Sequence, residues 1–322
     1  MSQAATASPP AARPAARRGN LGDTVFEWAC RGAGVFVLLL IGAIIIELFI
    51  AGWPAFRMFG FAFVTSTDWD PVQEVFGAGV SIYGTVVTSV MAIMLAVPIA
   101  FGIAFFLTEL APVWLRRPVG TAIELLAAVP SIIYGMWGFF VIAPAFAKHV
   151  QPWIIDNAGE LPLVGFLFQG PPFGTGIFTA AFILAIMILP FIAATMRDVF
   201  EQVPPVYKES AYALGATTWE VMRGVVIPYT RISVVGSVML GLGRALGETM
   251  AVTFVIGNAN RISSSVFGPG NTIASLVALE FGESEIGTLR LASLLALGFI
   301  LFVLSFIVLA TSRWLLRPRL KA

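Results

Sequence analysis

Charge is scarce in this chain. Only 11% of its 322 residues are Asp, Glu, Lys or Arg, where a soluble domain carries about a quarter. Cysteine and histidine occur once each, as Cys30 and His149. A single cysteine excludes a disulfide within the chain, and one Cys with one His is too few ligands for zinc. The only lysines are Lys148, Lys208 and Lys321, and none follows a glycine. The chain therefore carries no recognisable G-x-x-x-x-G-K-[ST] phosphate loop. No catalytic residue, metal site or cofactor of its own is expected.

What is abundant is apolar sequence, at 58% of residues. Runs of 18 residues or more are long enough to cross about 30 Å of hydrocarbon at 1.5 Å per residue. Six such segments lie near 32–51, 82–107, 120–146, 175–196, 229–257 and 289–312. Lipid offers no partner for open backbone groups, so all six should be helices. The fold class is all-α integral membrane, with residues 26–315 as one six-span domain. Residues 1–25 read as a disordered basic arm, since the first 20 are rich in Ala, Pro and Arg and contain no acid. A cleaved signal peptide is the alternative. The apolar run 33–50 is longer than a typical signal core and lacks an obvious cleavage site, which favours an uncleaved anchor. Residues 316–322 form a basic tail.

An even number of spans puts both termini on one side. Arg13, Arg17, Arg18, Arg31, Arg116, Arg117, Arg197, Lys208, Arg223, Arg231 and the four basic residues from Arg313 to Lys321 share that side. Only Arg57, Lys148, Arg261 and Arg290 fall on the other. The bias places both termini in the cytoplasm of a multi-pass inner-membrane protein. Three external loops, 52–81, 147–174 and 258–288, mix apolar residues with Trp, Pro and Gly, as suits segments lying at the membrane interface. They read as loops packed on a bundle, with a docking surface for an external partner as the alternative.

The internal segment 203–231 is built with more care than a connector requires. Pro204 and Pro205 suit a helix start. Gly215 suits the left-handed position after the helix end. Thr217 and Glu220 have the spacing of a capping box. Pro228 should bend or end the second helix near Val226 and Ile227. A capped helix pair with Tyr207, Tyr212 and Trp219 exposed is a candidate plug for a groove on another protein; a plain connector is the other reading. Glu209-Ser210-Ala211, three residues, Gly215, nine residues and Val225-Val226-Ile227-Pro228 resemble the EAA loop of ABC importer permeases. Ser210 replaces an Ala, and Val225 and Ile227 are conservative changes. The resemblance implies that Glu209, Ser210, Ala211, Gly215 and Pro228 couple the spans to a separate ATPase.

Within the fifth span stands GRALGETMAV, with Arg244 and Glu248 four residues apart. On one continuous helix that spacing brings them within reach, each offsetting the other's desolvation. Gly243 and Gly247 would admit a partner helix. One reading is a structural ion pair. The other places Arg244 on a path for an oxyanion, which its guanidinium fork matches, with Glu248 holding it between passages. This stretch, with STDWDPVQEVFG (66–77) and ELLAAVPSIIYGMWG (124–138), is similar to the phosphate-specific permease pair, and most to its PstC-like branch. The resemblance implies a type I ABC importer bundle that translocates inorganic phosphate and performs no covalent chemistry. It also implies a second homologous permease subunit, an ATP-binding subunit dimer and a periplasmic phosphate-binding protein as partners. Anionic membrane lipid is a natural partner for the basic arm, and no nucleic acid is expected. Rival readings are an ion-coupled transporter or channel working alone, a membrane anchor without a pathway, and a permease for molybdate or sulfate.

Overall fold

The computed structural model describes residues 21–162 and 165–315, so most of the basic arm and the whole tail 316–322 lie outside the described residues. Six helices in the described residues are long and apolar enough to cross a membrane. The chain divides into two units, Met1–Glu47 and Leu48–Ala322. In the first, the described residues form the leading part of helix α1 (Leu21–Phe59). Its apolar side chains, from Val35 to Ile46, are mostly exposed. An apolar surface on all sides is what a lipid-embedded helix requires.

The second unit holds the packed core. Helix α2 (Gly79–Leu110) lies against α5 (Ile177–Glu201) along most of its length. Ala92, Ala96, Ala100 and Ala104 recur every fourth residue on α2 and are all 0% exposed. This methyl-lined stripe lets the backbones approach closely, and lipid supplies no hydrophobic drive to replace that packing. Ile183, Leu184, Met187, Ile188, Ile192 and Phe200 of α5 fill the space opposite. A larger side chain at Ala96 would force the two helices apart.

Two of the expected spans are interrupted. The third, placed at 120–146, is not one helix. Helix α3 (Val113–Ala127) ends, Pro130 is extended (φ −57, ψ 135), and α4 restarts at Ser131 and runs to Ala158. The proline cannot donate to the preceding turn and its ring excludes the helical carbonyl. The two pieces still share one course: Glu124 meets Arg197 and Gly138 abuts Ile183, so α3 and α4 together run antiparallel to α5. The fifth, placed at 229–257, also differs. Helix α6 (Pro205–Ala213) precedes a long α7 (Thr218–Leu246), which stops at Leu246; a six-residue helix α8 (Met250–Val255) follows. Pro228 does not end α7. A wider π turn over Met222–Val226 immediately precedes it and accommodates the missing N–H.

The end of the bundle opposite α6 is closed by loops that pack inward. Strands β1 (Trp69–Asp70) and β2 (Val75–Phe76) pair antiparallel, Trp69 opposite Phe76, a small exception to an otherwise helical fold. The Trp69 indole donates to Glu280 Oε1 at 2.9 Å, and Arg290 Nε donates to Glu280 Oε2 at 2.9 Å. The third loop does not simply lie at an interface. Its helix α9 (Ile273–Glu280) is buried at the start, and the Ile273 N–H donates to Thr85 Oγ1 of α2 at 3.0 Å. The Asn271 carbonyl sits over Gly84, where a Cβ would collide. Helix α10 (Leu289–Leu315) completes the described chain.

Candidate functional site

The two interruptions lie side by side. Gly135, in the first turns of α4, has no room for a Cβ because the Ala251 Cα of α8 would stand 2.9 Å from it. Arg244 lies in the last turn of α7, its guanidinium carbon 5.9 Å from the ring centroid of Phe191 near the middle of α5. Non-helical backbone at this depth is tolerated only inside protein or beside a water-filled cavity. The Tyr134 hydroxyl spans the first break, donating to the Leu126 carbonyl at 2.9 Å, which also accepts the Val129 N–H at 3.3 Å.

Arg244 and Glu248 are not paired. The helix that would have stacked them ends at Leu246, and Glu248 belongs to the connection into α8. There its Oε1 accepts the Ala251 N–H at 3.3 Å. The Arg244 side chain is exposed on this chain and has no acidic partner among the described residues. Among the described residues its cation–π contact is with Phe191, worth about 0.5–1 kcal/mol at an exposed site. The glycine pair takes no neighbour among the described residues of this chain. No atom approaches the Cβ position of Gly243, and Gly247 is nearly as open. It is Gly241 that takes a neighbour, with Ile192 of α5 filling its missing side chain.

The 203–231 segment forms the second candidate site. Leu214 caps α6, the Gly215 N–H donates to the Tyr212 carbonyl at 2.9 Å, and the Ala216 N–H donates to the Ala211 carbonyl at 3.1 Å. These two bonds make a Schellman motif, which needs the left-handed Gly215 (φ +85). Open space surrounds Gly215, so the demand is conformational and not steric. Both bonds of the capping box are made. Glu220 N–H donates to Thr217 Oγ1 at 3.4 Å, and Thr217 N–H donates to Glu220 Oε2 at 2.7 Å. Ser210 Oγ donates to the Val206 carbonyl at 2.6 Å, so the hydroxyl is satisfied within the helix and tolerated where the EAA pattern has Ala. Ala211 packs against the core, whereas Glu209, Tyr212, Leu214, Trp219 and Pro228 remain exposed. The result is a rigid, partly apolar surface.

Two side chains that matter here escape a reading of the sequence. Glu109 is only 7% exposed and takes Lys208 Nζ of α6 at 2.6 Å. An acid ending a long apolar run is visible in the sequence; its partner across the fold is not. Phe191 is one of 27 phenylalanines, and nothing local marks it. Glu124 is held by Arg197 Nη2 at 2.8 Å, a structural role.

Residues 96–321 match the family model described as "Binding-protein-dependent transport system inner membrane component". The chain belongs to that family. Phosphate transport system permease protein PstC of Pasteurella multocida is 57% identical over 91% of this chain and 91% of its own length. The PstC of Mesorhizobium japonicum is 58% identical over 93% of this chain and 91% of its own. Among solved structures, a bacterial alginate ABC transporter in complex with an alginate pentasaccharide-bound periplasmic protein aligns over 92% of this chain and 96% of its own, with TM-score 0.59 at 17% identity. The MetNI methionine ABC transporter aligns over 74% of this chain and 93% of its own, with TM-score 0.51 at 16% identity. These two likenesses are of fold alone. The permease family accounts for a multi-pass membrane chain with an exposed capped helix pair.

Proposed function

We propose that this permease is one half of the membrane path of an ABC importer for inorganic phosphate, and that Arg244 is the residue the anion meets. The observation that carries the reading is the Arg244 guanidinium, exposed beside two adjoining helix breaks and free of any acidic partner among the described residues. A charge in such a place is expensive, and function is the default explanation for it. A guanidinium donates two parallel hydrogen bonds to an oxyanion. A weak aromatic contact, in place of a salt bridge, leaves it free to take the anion and to release it. The similarity to PstC proteins over nine-tenths of the chain supports phosphate as that anion. Glu248, turned to the start of α8, shapes the break and is not a lock on Arg244.

The Arg244 face is open on this chain, which suits a path completed by a second, homologous permease. Both termini are cytoplasmic on the placement of basic residues. Glu209, Ser210, Ala211, Gly215 and Pro228 then face a dimeric ATP-binding subunit, with α6 as the seated element. A periplasmic phosphate-binding protein delivers the substrate from the other side. The chain needs no cofactor, since its work is a change of access. The test is uptake of radiolabelled phosphate in cells lacking their own permease. Wild type should restore ATP-dependent uptake. Arg244→Gln should lose it with membrane levels and subunit co-purification unchanged. Normal uptake by that variant would sink the role given to Arg244, and uptake of sulfate or molybdate in place of phosphate would sink the substrate.

A further inference from the structure

Two cavities adjoin at the α6 end of the bundle. One, of about 390 Å³, is lined by Arg116, Arg117, Glu124, Arg197 and Glu201 among others. The other, of about 350 Å³, is lined by Arg116, Glu201, Lys208 and Glu209 among others. Arg116 and Glu201 belong to both. The cations here are of two kinds. Arg197 is taken by Glu124 at 2.8 Å and Asp198 at 2.9 Å, with Glu201 at 3.9 Å. Lys208 is taken by Glu109. Arg116 donates Nε to the Ala111 carbonyl at 2.8 Å, which anchors the side chain but leaves its charge without an acid. Arg117 has no acidic partner among the described residues either. Of the carboxylates lining the two cavities, Glu124 and Glu201 face Arg197, and Glu209 makes no ion pair among the described residues.

The surroundings fit an anion that carries phosphate. Each guanidinium supplies paired donors with the geometry of phosphate oxygens, and both line the same cavity. Basic pockets between spans on the cytoplasmic side hold anionic headgroups by the same chemistry. At the start of α3, Val113 and Trp114 are 80% and 75% exposed, and Trp is favoured where water meets lipid. Gly120 is also accounted for: a Cβ there would strike the Arg197 guanidinium, so the glycine keeps Arg197 in the cavity wall beside its acids.

We propose that Arg116 and Arg117 form an anion site at the inner membrane face, separate from the Arg244 path, that takes a phosphate group from either an anionic phospholipid headgroup or free inorganic phosphate. Arg116 also lines the cavity that reaches Glu209, so an occupant is placed to brace the coupling segment against α3. The site stands whether or not Arg244 carries the anion.

The full chain, co-expressed with the importer's other subunits, is placed in nanodiscs without external binding protein and in an Arg244→Gln background. In the lipid arm, phosphatidylglycerol retained per permease is counted by mass spectrometry against phosphatidylcholine. In the phosphate arm, equilibrium binding of radiolabelled phosphate is measured in neutral lipid. Each Arg near an anionic group is worth about fivefold in affinity, so Arg116→Gln with Arg117→Gln should lose roughly 30-fold in one arm. Arg116→Lys with Arg117→Lys keeps the charge but not the paired donors, so it should bind between wild type and the double Gln variant, and it controls for folding. Should the double Gln chain fail to assemble, the single Gln variants are read in the same way. A loss in the lipid arm identifies a headgroup site, and a loss in the phosphate arm identifies a site for the free anion. Equal binding by wild type and assembled Gln variants in both arms overturns the proposal.

Discussion

The paired charges at the α6 end and the unpaired ones at the helix breaks obey different rules. At the α6 end, Lys208 meets Glu109 at 2.6 Å and Arg197 meets Glu124 at 2.8 Å, each joining elements far apart in sequence. At the breaks, Arg244 and Glu248 are four residues apart and yet unpaired, one against Phe191 and the other capping α8. A buried charge with its partner in place is a strut, and removing one partner leaves the other uncompensated. A charge without a partner has a cost that only a ligand, water or a second subunit offsets. The comparison separates the paired charges that hold this permease together from the unpaired Arg244, which, like Arg116 and Arg117, is available for work.

The separation can be broken by experiment, and the largest effect expected is on transport. Arg244→Gln should abolish phosphate uptake with little change in abundance; a variant that transports normally would place Arg244 among the struts. Next comes Glu109→Ala, which strands Lys208 in a mostly buried position. The cost should be about 3–5 kcal/mol, read as a fall in membrane abundance and thermal midpoint, with uptake per surviving molecule preserved. Gly215→Ala puts an L side chain in the left-handed region, at about 1–2 kcal/mol. Co-purification of the ATP-binding subunit should weaken, while the spans keep their thermal midpoint. Thr217→Ala removes the cap and should cost about 1 kcal/mol, seen as faster proteolysis within 203–231. Smallest is Phe191→Leu, which removes a contact of about 0.5–1 kcal/mol. Uptake should change by a few-fold at most, and Phe191→Trp should restore it.

Much of the fold is legible in the sequence because lipid is an undemanding solvent to read. Helix is the only structure open to an isolated apolar segment in it, so run length marks the crossings. The start of α6 at Pro205, the Schellman turn at Gly215 and the box at Thr217 and Glu220 are legible for a related reason. Each is a bond between near neighbours in sequence, and each leaves a residue type as its mark. The interruption at Pro130 leaves a residue type as its mark as well, but a proline in an apolar run can bend a helix or break it, and its type alone does not say which. Here the helix breaks, and Tyr134 spans the break.

The sequence by itself determined the solvent, the helical class, the capped turn of the coupling segment and the presence of an unusual Arg at membrane depth. Only the tertiary structure decided which charges are paired. The spacing of Arg244 and Glu248 promises a contact solely if the helix continues, and it stops at Leu246, before α8 starts at Met250 and packs Ala251 against Gly135. Lys208 and Glu109 find one another because α2 and α6 meet at the same end of the bundle. Pairing across such distances is set by the stacking of alanines on α2 against α5, and no local pattern encodes it.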